Sequence, residues 1–212
     1  MMDVIIAGRR MTIAEFQAAN GLTVNGPLRL FGCTGLTALP GGLTVGGWLD
    51  LSGCTGLTAL PDGLTVGSSL VLSGCTGLTA LPDGLTVGGW LDLSGCTGLT
   101  TLPEGLTVGD WLNLSGCTGL TALPPSLTVN GSLYMRGCTG LDRYCVGRDK
   151  RGYAFFGLLM RDGPHVVAGC HNFTAAQALA HWGPGGKSDR PDCLALAQKA
   201  IALAERVTGD RS

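Results

Sequence analysis

Apolar and polar residues alternate along residues 21–141 in a phrase that recurs every 21 residues. In one copy, Leu43-Thr-Val45 and Trp48-Leu-Asp-Leu-Ser52 carry an apolar residue at every second position, which predicts two short strands with leucine and valine directed inward. Gly46 and Gly47 form the corner between these strands. A fixed period of this length predicts a solenoid, because each coil needs its neighbour to cover its apolar side.

One position of the repeat is cysteine in six successive copies: Cys33, Cys54, Cys75, Cys96, Cys117 and Cys138. Equivalent side chains in stacked coils point the same way, whereas a disulfide needs converging Cβ atoms, so we expect reduced thiols. Thiols stacked one per coil also do not converge tetrahedrally on a metal ion. We therefore interpret them as buried residues that contact backbone groups of the turn.

The phrase Leu-x-Leu-x-Gly-Cys-x-x-Leu-x-x-Leu-Pro resembles the leucine-rich repeat, in its cysteine-bearing form and with the short period of bacterial members, over residues 21–141. The resemblance implies a right-handed solenoid with a parallel sheet of Leu-x-Leu strands. The chain departs from the family pattern at Gly46, where a leucine is usual, and in the Leu-x-Val unit on the returning side. This departure leaves the curvature of the stack open.

Residues 1–20 and 142–212 lie outside the repeat, and we interpret them as caps for the ends of the stack. Thr12-Ile-Ala-Glu15 has the spacing of a capping box and predicts a helix to about Asn20, with Phe16 on the first coil. The predicted architecture is a mainly β solenoid of about six coils over residues 21–141, between a helical N-terminal cap and an α+β C-terminal cap.

Residues 142–212 predict a β-meander followed by two helices. The strand-like runs cover residues 144–146, 153–160 and 165–168. A second capping box, Thr174-Ala-Ala-Gln177, predicts a helix that ends near Trp182 and Gly183. Pro191 suits the first turn of a helix that runs to about Val207.

Residues 166–182, with Ala168-Gly-Cys170, Phe173-Thr174 and His181-Trp182, resemble a small tail of uncharacterised bacteriophage and proteobacterial proteins. The resemblance implies a bacterial or phage source and supplies no activity. A similar phrase, Ile5-Ile-Ala-Gly8 followed by Met11-Thr-Ile-Ala-Glu15, occurs near the amino end. Either the two caps share a strand-turn-helix design or the likeness is due to chance.

Charge and hydropathy narrow the classes of partner. Residues 21–141 hold six acidic and two basic residues, and residues 142–212 hold seven acidic and ten basic residues. Neither imbalance provides the dense row of cations that nucleic-acid binding needs, so nucleic acid is disfavoured. No run approaches the roughly 20 apolar residues that span a bilayer, and the amino end lacks a signal-peptide pattern. We expect a cytoplasmic protein that does not bind membranes.

The outward positions of the Leu-x-Leu strands vary between coils and are the candidate binding surface. The first column is Pro27, Trp48, Ser69, Trp90, Trp111 and Ser132, and the second is Arg29, Asp50, Val71, Asp92, Asn113 and Tyr134. Trp90 and Trp111 lie on adjacent coils and can touch. Trp48 and Trp90 flank the small Ser69, which predicts a notch of about 10 Å. The alternative is that the indoles only cover the edge of the sheet.

Beside this notch lie Asp50, Asp92 and Asn113. Tryptophan is enriched at binding hot spots and stacks on cations, so the surface suits an apolar or cationic protrusion of a partner. The predicted partner-binding residues are Trp48, Trp90, Trp111, Asp50, Asp92, Asn113 and Ser69.

Catalytic and metal chemistry finds little support in the sequence. Gly183-Pro-Gly-Gly-Lys-Ser188 has His181 where a phosphate-binding loop needs glycine, and a predicted helix where that loop needs a strand. Cys170 and His171 are neighbours that point apart on a strand, unlike a nucleophile and its base. The zinc-type ligands of the tail are His165, His171, His181, Cys145, Cys170 and Cys193, and no close two-residue spacing joins them. No catalytic residue, metal or cofactor is assigned.

The sequence therefore predicts a non-enzymatic scaffold that binds a macromolecular partner, most simply a protein, through the strand face of the solenoid. The alternative is a solenoid that acts as a spacer, with residues 142–212 supplying a metal-binding, nucleic-acid-binding or catalytic function. An exposed aromatic stripe is also compatible with self-association.

Overall fold

The computed structural model describes residues 3–6, 9–124, 126–149, 151, 153–160, 163–168, 171–186 and 190–209. At the amino end, strands β1 (Asp3–Ile6) and β2 (Arg9–Thr12) pair antiparallel, and helix α1 (Ile13–Ala18) follows directly. The hairpin was not predicted from the sequence. The helix and its capping box were, although the helix ends before Asn20. Phe16 is fully buried and belongs to the solenoid core, as predicted.

Two parallel six-stranded sheets form the solenoid. The first consists of β3 (Thr23–Val24), β5 (Thr44–Val45), β7 (Thr65–Val66), β9 (Thr86–Val87), β11 (Thr107–Val108) and β13 (Thr128–Val129). The second consists of β4 (Leu28–Arg29), β6 (Leu49–Asp50), β8 (Leu70–Val71), β10 (Leu91–Asp92), β12 (Leu112–Asn113) and β14 (Leu133–Tyr134).

Each strand pairs with its equivalent in the next coil, so the register repeats the sequence period; Leu49, for example, pairs with Leu70. Leu43, Val45 and Leu49 have no exposed surface, and the same positions of the other coils join them in one continuous core. The predicted solenoid and its inward positions are confirmed. The first sheet, built from the Leu-Thr-Val units, adds a second strand to every coil.

Glycine is required where the chain turns after the second strand. Gly53 has a φ of 70°, a left-handed conformation that strains residues with a Cβ. Three residues later, a Cβ on Gly56 would collide with the carbonyl oxygen of Thr34 in the preceding coil. The coils therefore stack closely only because these turns lack side chains.

The cysteine column is a ladder of buried hydrogen bonds. The thiols of Cys54, Cys75, Cys96, Cys117 and Cys138 donate to leucine carbonyl oxygens of the preceding coil, at Sγ to oxygen distances between 2.8 and 3.1 Å. Burial raises the pKa of Cys54 and of Cys117 to about 12 and that of Cys75 to about 11. The thiols stay protonated near neutral pH and keep the hydrogen that each bond uses. The predicted structural role is confirmed.

Beyond the coils, a 3-10 helix (Thr139–Tyr144) leads into an antiparallel four-stranded sheet. Its strands are β15 (Cys145–Arg148), β16 (Ala154–Met160), β17 (Gly163–Ala168) and β18 (His171–Thr174), and helices α2 (Ala175–Trp182) and α3 (Pro191–Gly209) follow. The meander and both helices are confirmed. The fourth strand, β18, was missed because residues 171–174 are polar except for Phe173.

The two faces of this sheet have different neighbours. Phe156, Leu158 and Val167 belong to the solenoid core, so one face closes the last coil. Phe155 and Val166 alternate with them and pack in a second cluster with residues of α2 and α3. The predicted C-terminal cap is therefore a three-layer arrangement of coil, sheet and helices.

A buried carboxylate ties the C-terminal module together. Oδ1 of Asp149 accepts hydrogen bonds from the backbone N–H groups of Arg151 and Tyr153, both at 2.9 Å. Its Oδ2 accepts from the Arg190 guanidinium at 3.3 Å, which connects the turn after β15 to the start of α3. Burial acts to raise the pKa of Asp149, but these donors outweigh it and hold the pKa below its ordinary value.

No helix in the described part of the chain is long and apolar enough to cross a membrane.

Candidate partner-binding face

The candidate site is the outward side of the sheet formed by β4, β6, β8, β10, β12 and β14. We call this surface the strand face. Its predicted members precede or occupy these strands: Trp48, Asp50, Ser69, Trp90, Asp92, Trp111 and Asn113. Backbone pairing holds the first column in line, because the amides of Leu70 and Leu91 donate to the carbonyl oxygens of Trp90 and Trp111 at 3.0 Å. The sheet register thus places tryptophans of adjacent coils side by side.

Trp90 and Trp111 form a parallel stack. Their ring centroids are 5.5 Å apart and their planes differ by 5°. Trp90 is 39% exposed, whereas Trp48 and Trp111 are half-buried. The expected contact between adjacent coils is confirmed, and Trp90 is the most accessible indole of the column.

Tyr134 extends this stack and was missed as a candidate. Its ring meets Trp111 edge-on, with centroids 6.2 Å apart and an angle of 86°, and it is 37% exposed. Tyr134 belongs to the second column, and the order of residues within one column does not place it beside Trp111. Its diagonal position, one coil further and one column across, was the available signal.

The predicted notch over Ser69 is wrong. Ser69 has no exposed surface, and its Oγ accepts a hydrogen bond from the backbone N–H of Trp90 at 3.2 Å. The serine therefore supports the backbone beside Trp90 and does not floor an open gap. The strand spacing predicts the distance between Trp48 and Trp90. It does not predict that the surrounding groups enclose the short side chain between them.

Trp48 already has a cationic neighbour within the chain. The guanidinium carbon of Arg29 lies 4.8 Å from the centroid of the Trp48 ring. The predicted attraction between this column and cations is thus realised internally at its first tryptophan. Trp90 and Trp111, which stack on each other, together offer a larger aromatic surface than Trp48.

The polar side chains of the second column accept hydrogen bonds at the ends of their own strands. Oδ1 of Asp50 accepts from the backbone N–H and the hydroxyl of Ser52, at 2.9 and 2.6 Å. Asp92 and Asn113 accept from the backbone N–H groups two residues later, at 2.9 and 3.0 Å. These side chains stabilise local turns, a role that was not predicted from the sequence.

The histidines of the C-terminal module lie in two different environments. Among the described residues no group of three metal-ligating side chains comes together, and Cys170 lies outside them. His165 lies within hydrogen-bonding distance of Asn172, at 2.8 Å between Nδ1 and Oδ1. His171 and His181 pack around Phe173, beside a cleft of about 410 Å³.

The glycine-rich segment after α2 follows a helix, as predicted. The amide of Gly183 donates to the carbonyl oxygen of Leu179 at 2.8 Å and ends α2. Lys187 and Ser188 lie outside the described residues. A helix in place of the preceding strand argues against a phosphate-binding loop.

Comparison with known proteins found no matching family model, no similar curated protein and no similar solved structure. The strand pairing and the continuous core of this chain itself therefore establish the solenoid. The resemblances to leucine-rich repeats and to a phage-type tail are proposals.

Proposed function

We propose that the protein is a non-enzymatic scaffold that binds another protein through the strand face. The stack of Trp90 on Trp111, continued by Tyr134, carries this proposal. Three aromatic rings on successive coils present apolar surface from one sheet, in which β10 and β12 pair with a strand on each side and β14 is the edge strand. Tryptophan and tyrosine dominate binding energy at protein interfaces, and a rigid support reduces the entropy lost on binding.

The residues of the strand face take different parts in this proposal. Trp90 and Tyr134 are the anchors that a partner reaches first, because they are the two exposed rings of the stack. Trp111 holds both in place, and Trp48 with Arg29 forms the rim. Asp50 and Asp92 use Oδ1 locally, and we assign their Oδ2 atoms to hydrogen bonds with a cationic group of the partner.

The proposed setting follows from the same features. We place the protein among leucine-rich-repeat-like proteins of a bacterium or phage, in the cytoplasm. A reducing compartment suits a core that contains six reduced cysteines.

A capture experiment tests the proposal with three baits: the intact protein, a Trp48→Ser/Trp90→Ser/Trp111→Ser variant and a Tyr153→Ser variant. Serine already occupies two positions of the tryptophan column, so we expect the triple variant to fold. Tyr153 is 52% exposed and lies off the strand face, so its variant controls for the loss of an exposed aromatic ring. Proteins retained by the intact and Tyr153→Ser baits but not by the triple variant support the proposal. Three equal profiles contradict it.

The second candidate places the function in residues 142–212, with the solenoid as a spacer. The observation in its favour is the cleft lined by Asn172, Phe173 and His181. A His171→Ala/His181→Ala variant that loses a captured partner or a bound zinc ion, while the triple tryptophan variant keeps it, would support this candidate.

A further inference from the structure

The two ends of the chain contain similar short sequences, 162 positions apart (Thr12 and Thr174). At this offset Val4 corresponds to Val166, and Ala14 to Ala176. Glu15 and Gln177, the partners in the two capping boxes, also correspond. Such a match in sequence leaves open whether the two segments share a structure.

The backbone shows that they do. In the amino-terminal hairpin, Asp3 pairs with Thr12 and Ile6 with Arg9, and in the C-terminal module, His165 pairs with Thr174 and Ala168 with His171. All four pairs of each hairpin match at the same offset. Each hairpin is followed at once by a helix whose first turn is closed by a threonine capping box. The shared strand-turn-helix design is therefore confirmed as a repeated unit.

The two copies of this unit differ in what covers the outer edge of the first strand. In the C-terminal copy, β17 pairs antiparallel with β16 along its whole length: Ala168 pairs with Phe155 at one end, and Gly163 pairs with Met160 at the other. Helix α3 packs on both strands. In the described part of the amino-terminal copy, the sheet consists of β1 and β2 alone. Among the described residues, no strand pairs with the edge of β1 that corresponds to the covered edge of β17.

We propose that β1 is a dimerisation strand that pairs antiparallel with β1 of a second copy of this chain. In the C-terminal unit, the corresponding edge of β17 accepts an antiparallel strand. A two-fold contact needs one surface only and closes on itself, making a four-stranded sheet in the order β2, β1, β1, β2. The sequence Asp3-Val-Ile-Ile6 is rich in β-branched residues and lacks the lysine or proline that protects edge strands from pairing.

The register of the hairpin identifies the backbone groups available to the second copy. Ile6 and Arg9 are joined by two residues, so they form the hydrogen-bonded pair next to the loop. Alternation along the strand then directs the amides of Val4 and Ile6 toward β2 and those of Asp3 and Ile5 outward. A two-fold axis at Val4 sets Asp3 of each copy opposite Ile5 of the other and uses both outward amides.

The test is the molar mass of the full-length protein in solution, measured by light scattering after gel filtration and by sedimentation. We expect twice the chain mass of 21.7 kDa for the intact protein and a single chain mass for Ile5→Pro, which removes one outward amide. Ile5→Val is the matched control and stays dimeric. The triple tryptophan variant also stays dimeric, which separates this contact from association through the strand face.

Hydrogen exchange provides a readout without substitution. On dilution to the monomer, exchange of the Ile5 amide accelerates, whereas the Val4 and Ile6 amides, bonded to β2, keep their rates. A single chain mass for the intact protein at its highest soluble concentration, a dimer that persists in Ile5→Pro, or an Ile5 amide insensitive to dilution would each overturn the proposal.

Discussion

The indoles of Trp90 and Trp111 lie parallel at a centroid distance of 5.5 Å, one coil apart on the strand face. The spacing follows from the sheet, because strands of adjacent coils are about 4.8 Å apart and identical positions are in register. Neither ring needs a partner protein to adopt this arrangement. The pair is therefore ordered within the protein itself.

The stack should contribute measurably to stability. In a double-mutant cycle with Trp90→Ser and Trp111→Ser, we expect a coupling free energy of about 0.5–1.5 kcal/mol, beyond the loss of buried area in each single variant. Urea unfolding monitored by circular dichroism measures it. A control cycle between Trp48 and Trp111, which are three coils apart, should give a coupling near zero. Equal couplings in the two cycles would show that direct stacking adds nothing.

The ladder thiols should be inert in the folded protein. Burial and a raised pKa keep Cys54, Cys75 and Cys117 protonated, and a thiolate is the reactive form. With an aromatic disulfide reagent at pH 8, we expect fast reaction at the half-buried Cys145 and reaction of the ladder only on unfolding. Mass spectrometry of the labelled peptides assigns the sites. Early labelling of Cys96 would show that the coils open locally.

Alkaline pH should destabilise the solenoid. The pKa of the ladder thiols is raised in the folded state, so their stabilising contribution is complete below the unfolded value of about 8.5 and is lost as the pH rises toward 11 to 12. Within that range each such thiol lowers the free energy of unfolding by up to about 1.4 kcal/mol per pH unit. Thermal melts between pH 7 and 10 measure the slope, and Cys75→Ala should make it shallower. A flat profile above pH 9 would contradict the assignment.

The C-terminal module should be lost first in acid. The pKa of Asp149 is lowered in the folded state, so its contribution is present above the unfolded value of about 3.9 and is lost as the pH falls through the folded pKa. Trp182 is the one tryptophan of this module. In the triple tryptophan variant, its fluorescence therefore measures the unfolding of the module. Asp149→Asn should be less stable at pH 7 and should depend less on pH between 5 and 2. The same acid transition in both proteins would contradict this role.

Removing the C-terminal cap should expose the solenoid core. A chain ending at Leu141 lacks Phe156, Leu158 and Val167, which cover the last coil. We expect aggregation and binding of a hydrophobic dye, because an uncovered coil presents apolar surface and open sheet edges. Gel filtration and dye fluorescence measure both effects. A soluble chain of residues 1–141 with native-like circular dichroism would show that the module is dispensable as a cap.

Period and local chemistry allowed much of this fold to be predicted. The alternation around Leu49 sets which residues face the core, and a strict period carries that assignment through every coil. Thr12 with Glu15 and Thr174 with Gln177 mark helix starts, because both partners of a capping box lie within one turn. The cysteine ladder was predictable for the same reason, since one turn repeated in register gives one environment.

What covers each element depended on contacts between distant segments, and only the tertiary structure decided it. The sequence alone determined a stack of two-stranded coils with tryptophans on one outward column. It did not determine that Ser69 is enclosed, that Tyr134 meets Trp111 diagonally, or that one face of β16 closes the last coil while the other packs on α3. Periodicity specifies the direction of a side chain, whereas burial and ring geometry depend on the sizes and positions of neighbours that lie far away along the chain.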